Sequence, residues 1–124
     1  MTLAIIDVPG SPGQPTASDI DATQMTVSWS APQSDGGSPI TNYVVEMKES
    51  FSTVWKKATP MDVKTPSLKV TGLKEGSTYE FRVSAENKAG VGKPSPVSQS
   101  FTAKPPYSKL ATNRRIIFTS NPLT

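Results

Sequence analysis

The sequence predicts an all-β fold, a two-layer sandwich of seven short strands. Apolar and polar residues alternate with a period of two over residues 79–86: Tyr79, Phe81, Val83 and Ala85 take one face, and Glu80, Arg82, Ser84 and Glu86 the other. The 124 residues include 12 prolines and 8 glycines, with no apolar run at helical period, which favours short strands joined by many turns. Just after Gly76 stands Tyr79, placed so that its ring can be buried while its hydroxyl returns to the preceding turn, the arrangement of a tyrosine corner. A chain of this length holds one ordinary domain plus tails.

The elements follow in order. Residues 1–8 read as an N-terminal extension or linker, the domain as residues 9–106, and residues 107–124 as a C-terminal tail, disordered, the start of a next module or foreign to the domain. The stretch 8–15, rich in proline and glycine, reads as a semi-extended linker. A first edge strand is expected over about 16–20 and a second over 25–30, where Met25, Val27 and Trp29 alternate and place the indole in the core. Pro32 and the Asp35–Gly36–Gly37 run mark a long turn, with Asp35 bonding its own backbone. A central third strand covers 40–47. Residues 51–53 form a loop, and 54–58 a short edge strand on which Lys56 and Lys57 oppose aggregation.

A strand over 67–71 carries Leu68 and Val70, and Gly72–Leu73 turns it into the tyrosine strand. Residues 87–94 form a hairpin loop in which Gly90 and Gly92 can take positive φ. The last strand spans about 96–103. The expected core is Trp29, Tyr43, Val45, Leu68, Val70, Leu73, Tyr79, Phe81 and Val83. Trp55, followed by Lys56 and Lys57, is expected to pack across Tyr43 or under lysine stems.

The net charge is +3, yet residues 1–106 hold ten basic and ten acidic side chains, and the excess lies in Lys109, Arg114 and Arg115. A neutral body gives little support to nucleic-acid binding, which needs clustered cations. With neither His nor Cys in the chain, the usual bases, thiolate nucleophiles and thiolate metal sites are absent. Asp19 and Asp21 form a D-x-D pair better read as solvent-facing than as a cation site. Gly90-x-Gly92 lacks the following helix that a phosphate loop needs. Residues 1–7 lack the basic and long apolar stretches expected of a secretory leader, and the sequence contains no bilayer-spanning run, glycosylation sequon or Arg–Gly–Asp tripeptide. The expectation is therefore no catalytic, cofactor or metal site and no membrane association. The best contact surface is the hairpin loop bearing Lys88, Val91 and Lys93, extended by Lys56 and Lys57 if they share its face.

Taken as a set, Trp29 with Pro32, DGGSPI, Tyr43, Val45–Glu46, Trp55, Val70–Thr71–Gly72–Leu73, Glu75–Gly76, the strand from Tyr79 to Val83, and AENKAGVGKPS resemble a fibronectin type III domain. The resemblance covers residues 9–106. It implies an immunoglobulin-like β-sandwich of three-stranded and four-stranded antiparallel sheets. The strings DGGSPI, YVVE and AENKAGVGKPS are most similar to the modules of giant sarcomeric proteins such as titin, twitchin, projectin and myosin-binding protein C. That similarity implies a non-catalytic, monomeric module in a tandem array within a muscle scaffold, contributing spacing, elasticity and thick-filament contacts. Implied partners are myosin or neighbouring immunoglobulin and fibronectin modules, and the implied location is the cytoplasm, at the A-band or M-band of the sarcomere. The alternative is an extracellular adhesion or receptor module that binds a protein ligand.

Overall fold

The computed structural model describes residues 5–107. Eight strand segments follow in order: β1 (Thr16–Ser18), β2 (Met25–Ser28), β3 (Asn42–Glu49), β4 (Lys56–Lys57), β5 (Ser67–Val70), β6 (Thr78–Asn87), β7 (Gly90–Val91) and β8 (Phe101–Thr102). One sheet has the order β1-β2-β5; the other runs β4-β3-β6-β7, with β8 also on β6. All pairings are antiparallel. The backbone of the second sheet is the β3–β6 ladder, whose eight pairs run from Asn42↔Glu86 to Glu49↔Tyr79.

The alternation in β6 acts as its period requires, burying Tyr79, Phe81, Val83 and Ala85. In register across β3, Tyr43, Val45 and Met47 point the same way. Met25 and Val27 of β2, with Trp29 just beyond it, come from the facing sheet and complete the core with Val70 and Leu73. Phe81, Val27 and Val83 are fully buried, and each large side chain buried this way contributes about 1.5–3 kcal/mol. Leu68, expected in the core, is only partly buried against it. Leu68 and Val70 sit on a short strand at the outer side of β2, so one of the two stays near the rim. Met47, Val63 and Ala103 join the core without having been anticipated.

Val63 is held by Asn42, whose Oδ1 accepts from the Val63 amide at 2.8 Å, while the Val63 carbonyl accepts from Tyr43 N at 2.9 Å. The Trp29 and Tyr43 rings meet edge to face with centroids 5.3 Å apart. Among the described residues, Trp29 Nε1 is the buried side-chain polar atom without a hydrogen-bond partner.

The three-stranded sheet is as expected, whereas the other carries five segments because its closing edge is broken. The last strand, expected over 96–103, is regular only at Phe101–Thr102. Between β7 and β8 the chain still follows β6: Ser95 N and Ser98 N donate to the Val83 and Phe81 carbonyls at 2.7 and 2.8 Å. In return the hydroxyls of Ser95 and Ser98 accept from the Val83 and Phe81 amides at 3.0 and 2.9 Å. Side-chain oxygens thus replace backbone carbonyls where Pro94 and Pro96, lacking N–H groups, interrupt a regular ladder. On the opposite edge, β4 is two residues rather than the expected five, which suits a charged edge.

Residues 8–15, expected as a linker, lie along the body: Pro9, Pro12 and Pro15 are buried, and Gly10 N and Gly13 N donate to Ser34 O and Ser30 O at 3.0 Å each. The Tyr79 hydroxyl reaches the preceding turn as expected, as an acceptor from Lys74 N at 2.9 Å. The reading of residues 107–124 falls outside the described residues except for Tyr107, which is exposed.

Candidate protein-contact surface

The hairpin after β6 is built on Asn87, only 3% exposed. Its Oδ1 accepts from Ala89 N at 2.8 Å, shaping the turn. Its Nδ2 donates to the Asp7 carbonyl at 2.8 Å and to the Asp35 carbonyl at 2.7 Å, so one carboxamide joins the hairpin, the β2–β3 loop and the N-terminal segment. Around this fixed base Lys88, Val91 and Lys93 are exposed. Gly90 has φ of +137°. Gly92 serves a close approach rather than the anticipated turn conformation, because a Cβ there would overlap the Pro9 carbonyl. Lys56 and Lys57 do not extend this surface: β4 lies at the far edge of the sheet, beyond β3 and β6.

The outer face of the same sheet is covered by its own charges. The Arg82 guanidinium lies over the Trp55 ring at 4.3 Å, and the Lys48 ammonium at 5.6 Å. Arg82 Nε donates to Glu46 Oε1 at 2.7 Å, and Lys48 pairs with Glu80 at 3.1 Å. Trp55 therefore packs under Arg82 and Lys48, not across Tyr43, because Tyr43 points inward on β3 while Glu46 and Lys48 point outward. The Lys48 bond, aided by hydroxyls of Ser100 and Ser50, holds the Glu80 carboxyl below its ordinary value of 4.5. Burial raises the Tyr43 phenol above 10.0.

The remaining sequence candidates have local backbone roles. Asp21 Oδ1 accepts from Ala22 N at 2.7 Å, and Asp19 takes a left-handed φ of 49° in the turn after β1. Asp35 Oδ1 accepts from Gly37 N at 2.8 Å, the turn bond its sequence suggests. Among the described residues no group of three or more His, Cys, Asp or Glu could hold a metal ion, and no helix is long and apolar enough to cross a membrane. At the end opposite the hairpin, an open cleft of about 350 Å³ is lined by Glu49, Phe51, Ser52, Gly76, Ser77 and Thr78. Asn87 and Arg82 were not anticipated as structural anchors, whereas Trp55 was expected to pack and does so under Arg82 as well as a lysine. The one available signal was the Asn following the alternating run, a residue type whose side chain bonds nearby backbone.

Comparison with known proteins places this geometry. The family description "Fibronectin type III domain" matches residues 10–101. The chain is 37% identical over 109 residues, 88% of its length, to cardiac-type myosin-binding protein C of Homo sapiens, and covers 9% of that protein. It is 39% identical over 98 residues, 79% of its length, to Homo sapiens myomesin-2, covering 7% of that protein. A crystal structure of consecutive domains from titin superposes with a TM-score of 0.75 at 37% identity, covering 79% of this chain and 33% of the titin fragment. The chain thus spans less than a tenth of the length of these two full-length relatives. With the family match running across both sheets, from the proline segment to β8, the chain belongs to the fibronectin type III domain family.

Proposed function

We propose that this chain is a non-catalytic structural and protein-interaction module of a multidomain muscle scaffold, located in the sarcomere. The observation that carries the reading is the 37% identity to cardiac-type myosin-binding protein C across 88% of the chain. Its fold adds support: a sandwich with a continuous core and an exposed hairpin is a rigid spacer carrying one adaptable surface. Spacing and resistance to stretch follow from the core, and contact with thick-filament components from the loop bearing Lys88, Val91 and Lys93. In this reading the partners are myosin or neighbouring immunoglobulin and fibronectin modules, and the chain itself is monomeric.

Co-sedimentation of the purified chain with assembled myosin filaments tests the contact. Binding is expected to fall several-fold in the Lys88→Glu, Lys93→Glu double variant, because reversing rim charges chiefly slows encounter with an oppositely charged surface. Equal sedimentation of both proteins would move the contact off the hairpin. Absence of binding by the wild-type chain would remove myosin as a direct partner.

A further inference from the structure

Residues 7–15 combine the composition of a linker with the bonding of a structural element, and the bonding follows a period of three. Pro9, Pro12 and Pro15 are buried. The amides of Asp7, Gly10 and Gly13 donate to Gly36 O, Ser34 O and Ser30 O at 2.9, 3.0 and 3.0 Å. Ser11 and Gln14 are exposed and Val8 is half-buried. Three residues per turn is the repeat of a polyproline II helix, and it divides this segment into a proline face against the body, a donor face along the β2–β3 loop, and an outer face. Two glycines of the body meet the strap's backbone closely. A Cβ on Gly36 would overlap the Asp7 carbonyl, and one on Gly92 would overlap the Pro9 carbonyl. At the N-terminal end Asp7 is tied on both sides of its own residue, by its amide to Gly36 and by its carbonyl to Asn87.

We propose that residues 7–15 are a strap belonging to the folded unit, which carries load arriving from the N-terminal side into the β2–β3 loop and the β6–β7 hairpin through Asn87. The prolines are packing groups here, not a flexible spacer. The consequence for a neighbour rests on the tandem-array reading: a preceding module pivots N-terminal to Asp7, and its orientation is transmitted to the same end that exposes Lys88 and Val91. The strap itself does not depend on that reading, because it can be measured on this chain alone.

Amide hydrogen exchange with backbone relaxation on the full 124-residue chain is the test. Protection of the Asp7, Gly10 and Gly13 amides is expected, with backbone order falling at Ile5 and Ile6. Asn87→Asp keeps an acceptor for Ala89 N but deletes both amide donors and sets a carboxylate against two carbonyls. It should lower Asp7 protection by about tenfold, the loss of one hydrogen bond, while the Val83 and Phe81 amides stay protected. Should that variant not fold, Asp7→Pro at an exposed position cuts the Gly36 bond from the strap's side, and loss of order over residues 5–8 is expected. Unprotected exchange at Gly10 and Gly13 in the wild-type chain, or a strap that stays ordered to Asp7 in both variants, overturns the proposal. Evidence that the chain works without a preceding module would remove the consequence for a neighbour and leave the exchange pattern as it is.

Discussion

Two segments of almost the same sequence character lie against the sandwich, residues 7–15 before β1 and residues 94–100 between β7 and β8, both rich in proline and serine or glycine, and neither forms a regular strand over that span. In the first the prolines are buried and the backbone donates at every third residue. In the second Pro94 and Pro96 are exposed while Ser95 and Ser98 are buried, their hydroxyls and amides completing the hydrogen bonds of β6. The difference shows two uses of a residue without an N–H. Against a loop, proline is an apolar packing group; along a sheet edge, it faces out and offers no donor for further pairing while the hydroxyl of a nearby serine accepts from the β6 amide. Gln14 links the two, donating to the Val97 carbonyl at 2.9 Å.

The largest expected effect separates the tight fit of the first segment from ordinary turn strain. Gly36 and Gly76 both have positive φ, of +79° and +89°, but a Cβ on Gly36 would overlap the Asp7 carbonyl whereas Gly76 has nothing within 4 Å. Gly36→Ala should therefore lose about 2–4 kcal/mol in urea unfolding, against about 1 kcal/mol for Gly76→Ala. Equal costs would mean the strap does not press on the loop.

The second segment is probed by Ser98→Ala. The Phe81 amide, on a fully buried residue, loses its acceptor, and about 1–3 kcal/mol should be lost. Exchange protection at Gly10 and Gly13 should not change, because their acceptors, Ser34 O and Ser30 O, lie in the β2–β3 loop. Ser98→Thr, which retains the hydroxyl, is expected to recover part of the loss.

The smallest effect is electrostatic and belongs to one segment only. Ser100 Oγ donates to Glu80 Oε2 at 3.1 Å, so the depressed carboxyl of Glu80 ties down the closing edge. A folded-state pKa below 4.5 means that Glu80 adds stability at neutral pH, and that this contribution fades as pH falls below 4.5 through the native value. Unfolding midpoints followed from pH 6 to pH 3 should show a shallower acid decline in Glu80→Gln than in the wild type. The bonds joining the strap to the body use backbone groups and the Asn87 and Gln14 carboxamides, none of which ionises, so strap protection should be indifferent to that substitution.

Much of the fold was legible in advance, but this contrast was not. The faces of β3 and β6 could be read because a strand's period of two assigns each side chain without knowledge of its neighbours. The Asp35 turn and the Tyr79 hydroxyl bond were equally local, spanning two and five residues. Val63 could not be read, since it lies in an aperiodic stretch and is held against the core by Asn42, 21 residues earlier, on its amide and by Tyr43 on its carbonyl. Leu68 alternated correctly and still lies at the rim, for period assigns a face and not a depth. On the candidate surface, the exposure of Lys88, Val91 and Lys93 followed from a turn signal, whereas the separation of Lys56 and Lys57 followed from strand order.

By itself the sequence determined the all-β class, the inward and outward faces of the main strands, the turn positions and the family, since each depends on residues near one another in the chain or on a pattern read along it. Only the tertiary structure decided that a proline-rich stretch is a strap rather than a linker, that Gly92 is there for the Pro9 carbonyl, and that Asn87 joins three segments. Those contacts close over 52 to 80 residues of chain at Asn87 alone, and no local propensity encodes which distant carbonyl a buried carboxamide will find.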